Sequence, residues 1–84
     1  MSTQRGIKSI KLTKELIAHS RVIAKGKRIR DVERLVAQYG GQSSKWVKKS
    51  SPIIENKNTL YEYHWYEHYG TGRFEIKLKV LKRK

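Results

Sequence analysis

Leu60-Tyr-Glu-Tyr-His-Trp-Tyr-Glu-His68 and Arg73-Phe-Glu-Ile-Lys-Leu-Lys-Val-Leu81 flank the turn Gly70-Thr-Gly72. Both runs are rich in aromatic and β-branched residues, and the glycines between them supply the turn, so the segment reads as a β-hairpin. Alternation gives it two faces. Phe74, Ile76, Leu78 and Val80 form the apolar side of the last strand, and Tyr61, Tyr63 and Trp65 that of the strand before it. A turn centred on Gly70-Thr71 sets Trp65 opposite Ile76, Tyr63 opposite Leu78 and Tyr61 opposite Val80. A slip of one residue would mix core with charge. The other face then pairs His68 with Arg73, Tyr66 with Glu75, His64 with Lys77 and Glu62 with Lys79.

Upstream, Lys45-Trp-Val-Lys-Lys49 is a further strand candidate, and Pro52 marks its edge or end. Asn56-Lys-Asn-Thr59 has the residues of a loop. Nearer the start the period changes. Leu12, Leu16 and Ile23, with Ile17 and Ala24 beside them, follow helical spacing, with Thr13 to start the helix and Gly26 to end it. Beyond the basic link Lys25-Gly-Lys-Arg28, the residues Ile29, Val32, Leu35, Val36 and Tyr39 mark one face of a second helix, with Arg30, Glu33 and Arg34 on the others. Gly40-Gly41 closes it, because glycine takes a left-handed cap without penalty. The expected fold is α+β: two N-terminal helices packed on one face of a small antiparallel β-sheet of three or more strands. Residues 1–8 read as a basic N-terminal arm and 9–84 as a single domain.

The 84 residues allow one domain, and 20 Lys plus Arg against 7 Asp plus Glu give a formal charge of +13. Residues 1–30 carry nine bases and one acid, Glu15, and so supply +8 of that excess. RNA, DNA, anionic lipid and acidic protein all fit such a charge, and its clustering favours nucleic acid. Cysteine is absent, which excludes disulfides and thiolate zinc. No apolar run reaches the roughly 18–20 residues of a membrane span, and the opening Met-Ser-Thr-Gln-Arg-Gly has no apolar stretch of a signal peptide. The histidines lack zinc-ligand spacing and there is no phosphate loop, so neither metal nor cofactor is expected.

The polar face of the hairpin holds two histidines, a tyrosine, two carboxylates and three cations. Cross-strand ion pairs on a solvated face would account for the charges, but lysine and glutamate alone would suffice for solubility. RNA cleavage needs a base for the 2′-hydroxyl proton, an acid for the leaving 5′-oxygen and a cation for the phosphorane. Histidine suits the first two. His64 and His68 lie four residues apart, about 13 Å along a strand, too far for a direct acid/base pair on one phosphate. His64, Tyr66, Glu75 and Lys77 form a square compact enough for a site, while His68 and Arg73 near the turn better suit phosphate or base contacts, unless the two roles are reversed. His19 falls on the apolar stripe of the first helix, either as a buried structural histidine or pointing over the sheet edge into the site. Trp46 reads as core before stacking platform. Lys45, Lys48 and Lys49 are phosphate contacts or a solvated edge, as are Lys25, Lys27 and Arg28 in the link and Lys79 on the last strand. Glu75-Ile-Lys77 also matches half of a metal-dependent nuclease motif, with Asp31 the sole aspartate to join it.

Ile29-Arg-Asp-Val-Glu-Arg-Leu-Val-Ala-Gln-Tyr-Gly-Gly41, Tyr63-His-Trp-Tyr-Glu-His68 and Gly72-Arg-Phe-Glu-Ile-Lys77 together resemble the C-terminal toxin domains of bacterial polymorphic and contact-dependent growth inhibition toxins. The resemblance covers roughly residues 9–80. It implies a ribonuclease of the barnase/EndoU/colicin/RelE-like group, with helices on a small antiparallel sheet. It also implies metal-independent cleavage of RNA, with tRNA the expected substrate, in the bacterial cytoplasm, and neutralisation by an acidic immunity protein or antitoxin. His64, His68, Glu75, Lys77 and His19 are the positions it carries over as catalytic. The chain is then either a domain of a larger secreted or surface toxin or a stand-alone toxin. A non-catalytic basic RNA- or DNA-binding module, and a metal-dependent nuclease built on Glu75-Ile-Lys77, are the competing expectations.

Overall fold

Strand β4 (Thr59–His68) is the axis of the fold in the computed structural model, which describes residues 11–83. One side of β4 pairs antiparallel with β5 (Gly72–Arg83) along most of its length. The other side is shared by β2 (Trp46–Ser50), opposite residues 64–68, and by the short β3 (Ile54–Asn56), opposite residues 59–61. Strand β1 (Arg21–Lys25) pairs with the outer side of β2. All pairings are antiparallel, giving a five-stranded sheet. The described helices are the five-residue α1 (Lys14–Ala18) and α2 (Val32–Tyr39), with short 3₁₀ turns at Gly26–Arg28 and Ser43–Lys45.

The expected pair of N-terminal helices on a sheet is therefore corrected to a strand-rich sheet with one substantial helix. Helix α1 starts where expected, with the Thr13 hydroxyl accepting from the Leu16 amide, but ends at His19. There Ser20 turns back, its amide and hydroxyl both bonding the Ile17 carbonyl. The β-branched Val22 and Ile23 then favour extended backbone, and β1 gains a ladder with β2. Hydrophobic spacing over residues 12–24 mixed a single helical turn with a strand. The arm at residues 1–8 lies outside the described residues.

The second helix keeps the expected face. Ile29, Val32 and Leu35 are buried with Trp46, and Val36, Ala24, Tyr66 and Phe74 pack around them. The Trp46 indole donates to the Gly40 carbonyl at 3.1 Å, which ties the end of α2 to the start of β2. At the hairpin tip, the Thr71 amide bonds the His68 carbonyl at 2.9 Å. Gly70 holds the third place of that turn at φ +83°, a conformation suited to glycine.

The register is as expected for Tyr61↔Val80, Glu62↔Lys79, Tyr63↔Leu78 and His64↔Lys77, and then slips. Tyr66 faces Phe74, Glu67 faces Arg73 and His68 faces Gly72, so Glu75 and Ile76 together oppose Trp65. This is a β-bulge whose first residue, Glu75, has φ +55°. It carries Phe74 to the face of Tyr66 and His68, where its ring lies 4.6 Å from Tyr39 and 5.3 Å from Trp46. Helix α2 thus covers the tip half of the face expected to be open, and the other half of that face remains as a groove.

Candidate functional site

The groove is bounded by β2, β4 and β5 on the sheet and by the segment leading into α2. Its first part, about 180 Å³, is lined by Lys48, His64, Trp65, Tyr66, Glu75, Lys77 and Lys79. A second part of about 520 Å³ adds Arg28, Arg30 and Asp31 around the shared Lys48, Tyr66 and Lys77. Strand alternation accounts for the arrangement. Lys48, Tyr66, His64 and Lys77 sit in register on one face, across the pairs Lys48↔Tyr66 and His64↔Lys77, with directly opposed Cβ atoms about 4.5–5.5 Å apart. The square His64, Tyr66, Glu75 and Lys77 is thus brought together, although the bulge replaces Glu75 by Phe74 as the partner of Tyr66.

His64 is held by a polar cluster. Its Nε2 lies 3.0 Å from Glu62 Oε1. Glu62 also accepts from the buried Ser50 hydroxyl at 3.0 Å and from Arg21 at 3.3 Å. Burial alone would raise the Glu62 pKa, but the bonds from His64, Ser50 and Arg21 outweigh it and hold the carboxyl below its ordinary range. An ionised carboxylate only accepts, so Nε2 carries the proton. The other ring nitrogen, Nδ1, is buried with no protein hydrogen-bond partner. Glu62 did not stand out in the sequence as more than a strand carboxylate opposite Lys79; its place two residues before His64 on the same strand face was the available signal.

Tyr66 is half-buried, its hydroxyl 3.5 Å from Asp31 and the Lys48 ammonium 5.9 Å from its ring centre. Burial first, then the Asp31 charge, raise its pKa, so the phenol keeps its proton at neutral pH. Glu75 is committed elsewhere. Its two oxygens take both ends of the Arg34 fork at 2.9 Å each, and one also accepts from the Tyr39 hydroxyl at 2.9 Å. Arg34 above all, with Tyr39, brings its pKa down to about 2.

The remaining candidates disperse. His68 stands edge-on to Trp46, ring centres 5.2 Å apart, its Nδ1 2.8 Å from the Thr71 hydroxyl. It does not line the groove. A Cβ at Gly41, which has φ +81°, would overlap its ring, so the glycine permits the packing. His19 is the exposed C-cap of α1 rather than a buried histidine. Trp46 is core, 1% exposed. Lys49 and Arg73 lie on the reverse face with Glu67, to which Lys49 pairs at 3.5 Å. Lys25 and Lys45 border a separate hollow, with Lys45 over the Tyr69 ring at 5.5 Å. Lys27 is exposed on the 3₁₀ turn beside Arg28. Among the described residues, no cluster of three or more His, Asp or Glu side chains forms a metal site. Comparison with known proteins gave no match to a family model, to a curated protein or to a solved structure.

Proposed function

We propose that the groove cleaves RNA, with His64 as the proton-transfer group. The observation that carries this reading is a histidine in a cationic groove whose Nε2–H is committed to ionised Glu62, leaving the Nδ1 lone pair without a protein donor. That is the tautomer a general base requires. Nδ1 is closed to solvent in the unliganded groove, so bound RNA must first part the side chains over it. His64 Nδ1 then takes the 2′-hydroxyl proton as the 2′-oxygen attacks phosphorus. The bond from phosphorus to the 5′-oxygen breaks, and the Tyr66 phenol protonates that oxygen. The tyrosine regains its proton from the imidazolium through solvent. Lys48 and Lys77 offset the charge that builds on the phosphorane, and Arg28, Arg30 and Lys79 hold flanking phosphates. No metal takes part, and Glu75-Ile-Lys77 does not serve as a metal motif, because both Glu75 oxygens are engaged by Arg34.

On this reading, and on the resemblance to polymorphic-toxin ribonucleases, the chain is a toxin domain that acts in the bacterial cytoplasm on tRNA and is neutralised by an acidic immunity protein or antitoxin. The test is incubation of tRNA with wild type, His64→Ala, Lys77→Ala and Tyr66→Phe, each with and without EDTA. The expected result is cleavage by wild type that EDTA leaves intact and His64→Ala abolishes. Salt-sensitive RNA binding without cleavage would make the groove a binding surface only, and EDTA-sensitive cleavage would overturn the metal-free mechanism.

A further inference from the structure

Beyond the groove, strand β5 presents an outer edge with no strand partner among the described residues. From Lys77 to Val80 it alternates cleanly, before a second register shift at Leu81. Lys77 and Lys79 point to the groove face, where both line the groove. Leu78 and Val80 point to the reverse face, 39% and 51% exposed. Lysine on an edge commonly guards against self-pairing, but a guard gives no reason for a bare apolar row on the same strand. A second copy of the chain is a poor occupant, since pairing β5 with β5 would oppose one lysine row to another. Acidic and apolar residues in strict alternation would complement both rows at once.

We infer that the β5 edge docks an extended acidic strand of a neutralising protein. Its backbone continues the sheet, its carboxylates meet Lys77 and Lys79, and its apolar residues cover Leu78 and Val80. Because those lysines form the groove wall, the added strand places negative charge across the groove mouth and excludes the RNA backbone. The inhibitory meaning rests on the ribonuclease reading, whereas the docking itself does not.

The probe is a short synthetic peptide alternating Glu with Val and Thr, titrated into ¹⁵N-labelled protein without RNA. Two controls are the same peptide with alternate backbone amides methylated and one with Lys in place of Glu. The expected result is shifts and slowed amide exchange confined to β5 beyond the bulge and its β4 neighbours. Binding is lost with either control and weakened about tenfold or more by K77Q/K79Q, the loss of two charge partners on one edge. Equal binding of the methylated peptide, no binding of the acidic one, or protection of the outward-facing β5 amides (those not bonded to β4) before peptide is added would each overturn the proposal. A parallel RNA digest separates the two readings. Docking on a protein that cuts no RNA leaves the edge assignment standing and removes the nuclease, and cleavage without docking does the reverse.

Discussion

The Arg34 guanidinium meets both carboxylate oxygens of Glu75 at 2.9 Å, so helix α2 is fastened to the very residue that bears the bulge of β5 at φ +55°. A left-handed non-glycine residue costs on the order of 1–3 kcal/mol and persists only where its surroundings hold it. Here the holding comes from two parallel charge-assisted bonds and the Tyr39 hydroxyl. The bulge in turn puts Phe74 under the helix and leaves Lys77 opposite His64, so the clamp positions the groove without touching a substrate.

The clamp makes stability depend on pH in a defined window. The Glu75 carboxyl is held at about 2 in the fold against an ordinary 4.5. Its contribution is complete above the ordinary value and is lost as pH falls from there toward about 2. Urea midpoints of wild type and Glu75→Gln should differ by a constant amount near neutrality and converge across that window. The difference should also shrink in high salt, because Arg34 remains partly exposed. A gap that persists at the acid end would remove the carboxylate from the account.

Gly41→Ala should destabilise by about 1–3 kcal/mol, the usual cost of overpacking with added backbone strain. The new methyl group meets the His68 ring, which cannot easily retreat between Trp46 and the Thr71 hydroxyl. Urea denaturation reads the loss directly. In the Gly41→Ala, His68→Ala double variant the steric part of that cost should vanish while the strain of φ +81° remains, the signature of a contact between the two sites.

These contacts show what could be read from the sequence. The hairpin, the buried face of α2 and the Gly40-Gly41 ending were legible because strand alternation, helical spacing and glycine mark them locally. The bulge was not, since its left-handed residue is a glutamate and the force that holds it comes from Arg34, 41 residues away in sequence. Without the bulge, Phe74 counts with Leu78, and the helix is assigned to the wrong face. Strand β3 escaped because it has only three residues and forms through the tight Lys57-Asn58 turn, both at positive φ. Three corners of the square, His64, Tyr66 and Lys77, were legible from alternation, whereas Glu75 was placed there by a register that the bulge breaks. The different duties of its members, and the part of Glu62, depend on partners from α2, β1 and β2.

His64 and His68 should separate in their effects. His64→Ala should lower cleavage by roughly 10²–10⁴-fold, the usual worth of a general base, with a native spectrum and a stability loss of about 1–3 kcal/mol, because buried Glu62 loses one of its donors. His68→Ala should lower stability by about 0.5–3 kcal/mol and leave cleavage per folded molecule within a few-fold of wild type. Denaturation midpoints and initial rates on the same preparations decide it. The reverse pattern would move the chemistry to the hairpin tip.

Glu62 should act through His64. Glu62→Gln keeps the shape but removes the charge that fixes the imidazole tautomer, so kcat should fall on the order of tenfold or more while KM holds. The pH profile of the remaining activity should shift, which a purely structural role would not produce. Glu62→Ala should in addition cost about 1–3 kcal/mol, because the Ser50 hydroxyl and the His64 ring lose their buried acceptor.

The central claim is that His64 drives attack by the 2′-hydroxyl, and the ends of the RNA fragments test it most directly. Mass spectrometry of products formed by wild type in EDTA should find a 2′,3′-cyclic phosphate on one fragment and a free 5′-hydroxyl on the other. A substrate with a single 2′-deoxy nucleotide at the cut should remain whole. Products ending in a 5′-phosphate, or cutting of the deoxy substrate at the same place, would contradict the account.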